Sequence, residues 1–304
     1  MPRRQLPNHL DDFLAPAWLS PQIGKVIQVL VGIEIIFWVT FSFASPLFYA
    51  SGGDGPFPLD TPIGTTLGFA IFGVVLVLFH ALAFIVHRRG VETMLGPFGR
   101  SWADCRSALL WVGSVALVLS LADLLGSPED YVQARPVMTW AFFAVVGGIF
   151  IVLQSATEEI IYRGYLTQQM AAYRPNKRWV WLWVPSLIFG ISHYFNGYGP
   201  ADGLVNAVWA TMLGVACADL TLRTGNIGAA IGLHAANNLY ATLFVGIEDW
   251  PSSGLALYLF EYVDPYSFDY SLPTFFEPAN IFDLVLALIV LWIMWLAARV
   301  AIRA

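Results

Sequence analysis

Two adjacent acids, Glu158 and Glu159, stand in the stretch TEEIIYRGYL two residues beyond the apolar run FFAVVGGIFIVLQ, and Arg163 follows four residues after the second. An ionisable side chain near the bilayer centre costs at least ~2.5–3.5 kcal/mol on insertion scales, so such residues face an interior cavity or a partner. In a helix, Glu159 and Arg163 share a face, with the acid on the favourable amino-terminal side. Glu158 is rotated by about 100° from its neighbour and has Tyr162 at i+4, which leaves it without a local counter-charge. A carboxylate so placed is available as a general base or acid. His193 closes the segment FGISH and His234 opens HAANN, with Asn238 one turn further on the same face as His234. At about 1.5 Å per residue, Glu158 lies roughly 24 Å from Arg174, His193 roughly 22 Å from Arg178, and His234 roughly 16 Å from Arg223. All three are expected to meet near mid-membrane, provided the helix of the glutamates continues to the basic cluster at 174–178. Two carboxylates, two imidazoles and an amide in one pocket can activate water and stabilise an oxyanion, as an amide-bond hydrolase requires.

The elements that must position these groups follow from composition. With 58% hydrophobic and 12% charged residues and a positive mean hydropathy, the chain departs from a soluble domain. A transmembrane helix needs about 20 mostly apolar residues, and such stretches occur near 23–47, 64–87, 107–125, 137–157, 179–195, 204–222, 226–246 and 280–302. The expected fold is all-α, a polytopic transmembrane helical bundle of about eight spans. It forms a single integral membrane domain over 1–304, with the chemistry in a core at 157–240. No internal repeat or low-complexity tract is visible.

Short cytoplasmic loops carry an excess of Lys and Arg. Arg3, Arg4, Lys25, Arg88, Arg89, Arg100, Arg106, Arg174, Lys177, Arg178, Arg223, Arg299 and Arg303 fall at one set of span ends, and only Arg135 at the other. Acids such as Asp54, Asp60, Glu129, Asp130, Asp202, Glu248, Asp249 and Asp269 occupy that other set. Both termini are therefore expected to be cytoplasmic, with the plasma (inner) membrane as the location. The net charge of −6 reflects an acidic outer face and excludes a nucleic-acid binder. The first apolar stretch is too long for a signal-peptide core and lacks a small-residue cleavage site. Cys105 and Cys217 suggest neither a disulfide nor a thiolate metal site.

EEIIYR fits EExxxR, FGISH fits FxxxH and HAANN fits HxxxN, in that order on successive apolar stretches. In this the sequence resembles the CAAX-processing and bacteriocin-processing (CPBP) family of intramembrane endopeptidases, related to the CAAX prenyl protease. The resemblance covers about Thr157 to Tyr240. It implies that Glu158 is the general base that polarises water, with His193 helping to hold that water. Glu159 would support the site and pair with Arg163, His234 and Asn238 would form the oxyanion hole, and Phe189 would line the cavity. The implied substrate is a membrane-associated or lipid-modified polypeptide reached within the lipid bilayer.

Other readings use the same residues. Glutamate and histidine are zinc ligands elsewhere, and Glu158, His193 and His234 would be the ligand set here. HExxH is absent, and the Asn on the His234 face suits an oxyanion better, so no cofactor is the favoured expectation. A proton-coupled transporter would predict inverted repeats and broken half-helices, which are not visible. A non-catalytic membrane partner or immunity factor would use the same cavity without cleavage. Glu34, His80, Asp123 and Asp219 have no partner at motif spacing and read as structural. Gly228 and Gly232 form a small-residue contact pattern that would bring the His234 helix close to a neighbour. The aromatic segment 246–278 reads as an interfacial loop.

Overall fold

In the computed structural model, residues 7–51, 59–126, 131–251 and 253–303 are described, apart from the side chains of 123–126 and 131–133. Arg3, Arg4, Asp54, Glu129 and Asp130, and the side chain of Asp123, lie outside that description.

The bundle is turned inside out relative to a soluble protein. Its exposed positions include Ile27, Val31, Ile35, Trp38, Val77, Phe84, Leu110, Phe142 and Ile149, the surface a hydrocarbon solvent favours. Its polar residues are concentrated within: Gln154, Ser155, Thr157, Glu158, Glu159, Arg163, Thr167, Gln168 and Gln169 are all buried. Among the described residues six helices are long and apolar enough to cross a membrane, and the chain is a multi-pass membrane protein.

A short amphipathic helix, α1 (Asn8–Leu14), buries Leu10, Phe13 and Leu14. It precedes α2 (Ile23–Ser51). The next span bends at Ile71, where α3 (Pro62–Ala70) meets α4 (Phe72–His87). Helix α5 (Phe98–Gly126) starts nine residues before the apolar stretch at 107, so Arg100 and Arg106 lie on helix instead of loop. Helix α6 (Val137–Glu159) continues through a π-helical stretch, Ile160–Leu166, into α7 (Thr167–Tyr173). This continuity is the condition on which the depth count rested. Helices α8 (Arg178–Tyr194), α9 (Pro200–Thr224), α10 (Gly228–Leu243) and α11 (Pro278–Ala301) complete the bundle.

Each of the eight anticipated stretches contains helix, although 226–246 ends in β2 (Val245–Ile247). Two of them, α8 with 17 residues and α10 with 16, are shorter than the ~20 residues a span needs, which accounts for six qualifying helices against about eight expected. The reason is polar content at their ends, where the Lys177 region, Asn226 and the Asn196–Tyr198 loop interrupt the apolar run. The anticipated glycine contact is present: α10 packs most extensively on α5, and a Cβ at Gly232 would stand 2.5 Å from the Cys105 carbonyl oxygen. Both cysteines are free and buried.

One end of the bundle is basic. There the loop after α4, the start of α2 and the close of α11 meet; His87 bonds Ser20, and Ser107 donates to the Ala301 carbonyl at 3.0 Å. The opposite end carries a feature that the all-α reading lacks, a three-stranded sheet ordered β1 (Tyr131–Ala134), β3 (Tyr258–Phe260), β2 (Val245–Ile247). The aromatic segment is thus partly folded inward. Leu255, Ala256 and Leu259 are buried while Tyr266, Phe268 and Phe276 stay exposed. Arg135 is drawn into this cap, donating to the Ala256 carbonyl at 3.0 Å.

Candidate active site

The π-helical stretch begins directly after the two glutamates and contains Arg163. Such wide turns are rare and recur at functional sites. Arg163 Nη1 donates to Glu159 Oε1 at 3.1 Å, and both side chains are fully buried. A Cβ on Gly214 would lie 2.8 Å from Arg163 Nη2, so α9 has glycine where the guanidinium needs room. The guanidinium also sits 4.7 Å from the centre of the Phe189 ring, a favourable position over a π face.

His234 on α10 joins the two acids. Its Nδ1 is 2.7 Å from Glu159 Oε1, the oxygen that also accepts from Arg163, and its Nε2 is 3.5 Å from Glu158 Oε2. Glu158 is 7% exposed and His234 2%. An ionised carboxylate only accepts, so Glu159 fixes a proton on His234 Nδ1. The Nε2 nitrogen then faces Glu158 Oε2 at ion-pair distance, too long for a hydrogen bond in this geometry. Glu158 Oε2, Glu159 Oε2 and two Arg163 nitrogens are enclosed without a hydrogen-bond partner among the described residues. Buried polar atoms of this kind are costly, and each asks for an explanation.

Phe189 packs against three of the motif residues or their neighbours. Its ring lies 4.4 Å from His193, 5.8 Å from His234 and 4.9 Å from Tyr162, centre to centre. It is fully buried, so it is a wall of the site held between α8, α10 and the π stretch. His193 stands near the end of α8 and is half-buried. Its Nδ1 donates to the Phe189 carbonyl at 2.8 Å; since a carbonyl only accepts, that bond fixes the tautomer and leaves Nε2 as the basic nitrogen of the neutral ring.

Asn238 is turned toward α6. Its Nδ2 donates to Gln154 Oε1 at 2.8 Å and reaches Ser155 Oγ at 3.4 Å, while its Oδ1 accepts from Asn237 at 3.1 Å. Gln154 lies one turn before Glu158 and is buried, and sequence reasoning passed over it. The available signal was a glutamine in the apolar run at i−4 from the glutamate, the spacing of a shared helix face. Tyr162 adds a second such link, with its hydroxyl 3.4 Å from Ser192 Oγ.

Of the polar residues read as structural, Asp219 bonds Arg223 at 2.8 Å and Trp295 at 3.1 Å. His80 accepts from the Val91 amide at 3.3 Å. Among the described residues no group of three or more His, Cys, Asp or Glu side chains is disposed to hold a metal ion. Both His234 nitrogens, in particular, are turned to carboxylate oxygens.

Residues 136–240 match the family model described as Type II CAAX prenyl endopeptidase Rce1-like. The matched span contains every motif residue and Gln154, and it bears out the CPBP resemblance read from EExxxR, FxxxH and HxxxN. The uncharacterized protein YyaK of Bacillus subtilis (strain 168) is 27% identical over 183 residues, which cover 58% of this chain and 58% of YyaK. No solved structure matches.

Proposed function

Starting from a chain that carries an Rce1-like segment at residues 136–240, we propose that it is an intramembrane endopeptidase. It hydrolyses a peptide bond in a membrane-associated or lipid-modified polypeptide by activated water, with no metal. The observation that carries this reading is His234 held between two carboxylates, one of them neutralised by Arg163.

With His234 protonated, two negative groups (Glu158, Glu159) balance two positive ones (Arg163, His234). The enclosed site is then neutral overall, the condition under which a low-dielectric interior tolerates charge. In the reaction Glu158 accepts a proton from water as the water oxygen bonds to the scissile carbonyl carbon, and the carbonyl π electrons move onto oxygen. That oxyanion accepts a hydrogen bond from His234 Nε2–H, whose charge Glu159 sustains through Nδ1. Collapse of the tetrahedral intermediate breaks the C–N bond, and protonated Glu158 returns its proton to the leaving amine. His193 Nε2 holds the water, and the Asn238–Gln154 amide pair supports the oxyanion side. The basic end faces the cytoplasm in this reading, and the membrane is the plasma (inner) membrane.

The decisive experiment compares membrane proteomes of cells carrying wild-type protein and Glu158→Gln. A polypeptide accumulating uncut only with the variant is expected, and an unchanged proteome together with full biological function would reject the protease reading. Turnover of the identified substrate should survive strong chelator; loss of activity on chelation, restored by zinc, would reject the metal-free mechanism.

A further inference from the structure

A groove on the opposite side of α9 from the site has its own chemistry. Gly214 and Cys217 of α9 face the Arg163 and Ala230 side, whereas Met212, Val215, Ala216 and Asp219 line an outer groove of about 400 Å³ closed by Leu182 of α8 and by Leu288, Leu291, Trp292 and Trp295 of α11. At the basic end it runs into a second hollow of about 400 Å³, because Leu182 and Asp219 border both. This mouth is bordered by Arg178, Arg223 and the tryptophans Trp179, Trp181 and Trp183.

From this arrangement we infer that the α8–α9–α11 groove binds one anionic phospholipid, its phosphate at Arg178 and Arg223 and one acyl chain along the apolar floor. Charge complementarity supports the head position. Arg223 is held by Asp219 through Nε at 2.8 Å, while Arg178 is exposed and has no ion pair among the described residues. Two guanidinium groups against one carboxylate leave the mouth cationic, and guanidinium matches phosphate oxygens in a bidentate fashion. Asp219 is also fixed by Trp295 Nε1 at 3.1 Å, which ties α9 to α11 where head and tail regions join. Trp179, at the mouth beside Arg178, is 61% exposed, the placement of an indole at a membrane boundary.

Length fixes the occupant as a lipid of one leaflet. From Met212 to Arg223 the groove follows α9 for about 16 Å, and half of a ~30 Å hydrocarbon core is about 15 Å. The apolar stretch carries no charge beyond Asp219 at its mouth, which suits an acyl chain better than a polypeptide.

The test is native mass spectrometry of the full-length protein in detergent, with dioleoyl phosphatidylglycerol, dioleoyl phosphatidylcholine or sn-glycerol 3-phosphate added. One phosphatidylglycerol per chain is expected, retained about tenfold over phosphatidylcholine, with glycerol phosphate alone retained far less. Arg178→Gln with Arg223→Gln should bring the two lipids level, and Leu288→Trp should displace phosphatidylglycerol from the groove. Both arginines are at the surface, so the double variant tests the head site even if the tryptophan variant fails to fold. Equal retention of both lipids by the wild type, or no effect of the arginine substitutions, would overturn the inference. Glycerol phosphate that binds as tightly as the intact lipid would reassign the mouth to a free phosphate and overturn the lipid.

Discussion

Two buried histidines bridge neighbouring helices in this molecule, and the groups at their nitrogens separate the proposed reactive site from a structural one. His234 faces carboxylate oxygens on both sides, 2.7 Å from Glu159 and 3.5 Å from Glu158. His87 faces neutral groups on both sides, with Ser20 Oγ 2.9 Å and the Gln169 amide 3.3 Å from Nδ1 and the Tyr165 hydroxyl 2.9 Å from Nε2. A hydroxyl donates or accepts as needed, so neutral His87 is satisfied in either tautomer. Carboxylates only accept, so His234 is fully satisfied when it carries two protons or when Glu158 holds one of them. Each cluster also buries an arginine. Arg163 has a carboxylate, whereas Arg89, 4% exposed, bonds Gln168 and has no ion pair among the described residues. Burial lowers the Arg89 guanidinium to about 10, which still leaves it charged near neutrality. The same helical run, from Glu158 to Gln169, supplies both clusters. In the proposed reading, a histidine and an arginine packed around this run mark chemistry only where acids accompany them.

The sharpest way to break this comparison is kinetic. Glu158→Gln keeps the shape of the side chain and removes the base, so turnover is expected to fall by about 10²–10⁴ with the thermal midpoint nearly unchanged. His87→Phe should leave turnover intact. Equal losses in both would erase the distinction between the clusters. Next in size is stability: Glu159→Ala leaves Arg163 buried without its partner, a change that costs about 3–5 kcal/mol, measurable by denaturation in detergent or as reduced membrane abundance. Arg89→Met breaks no ion pair and should cost about 1 kcal/mol, the scale of a lost hydrogen bond. A Glu159→Ala protein as stable as wild type would show that the Glu159–Arg163 pair does not hold the π stretch. Gln154→Ala deprives Asn238 of its acceptor one turn from Glu158, and a roughly tenfold drop in turnover is expected. An unchanged rate would remove Gln154 and Asn238 from the oxyanion side.

The same contrast explains what could be read from the sequence. The Glu159–Arg163 pair followed from i+4 spacing because that distance is local to one helix. The continuation from Glu158 toward Arg174 was a condition of the depth count, and the structure supplies it as α6, the π stretch and α7 in one run. The bridge from His234 to both acids was not legible, because it depends on how α10 is rotated against α6, which is set by packing such as Gly232 on α5. Arg89 illustrates the converse. In the sequence it is one of the basic residues at a span end, and only the fold shows it buried and bonded to Gln168 of α7. The sheet at the opposite end escaped notice because its strands are three or four residues long, too short for an alternating pattern to emerge from an aromatic-rich segment.

One further effect sharpens the structural half of the comparison. Tyr165→Phe removes the hydroxyl at His87 Nε2 in a fully buried position, leaving that nitrogen without its partner, and about 1–3 kcal/mol of stability should be lost. His87→Phe with Tyr165→Phe replaces both ends of that bond by apolar groups and should recover part of that loss, because the unpaired Nε2 is removed with the imidazole. A double-mutant cycle isolates the coupling. Coupling of about 1 kcal/mol with turnover constant in all three variants would make this cluster a structural clamp. A turnover that followed the stability loss step by step would instead mean that the hydroxyl-flanked histidine and the carboxylate-flanked one act as one unit through the π-helical stretch they share.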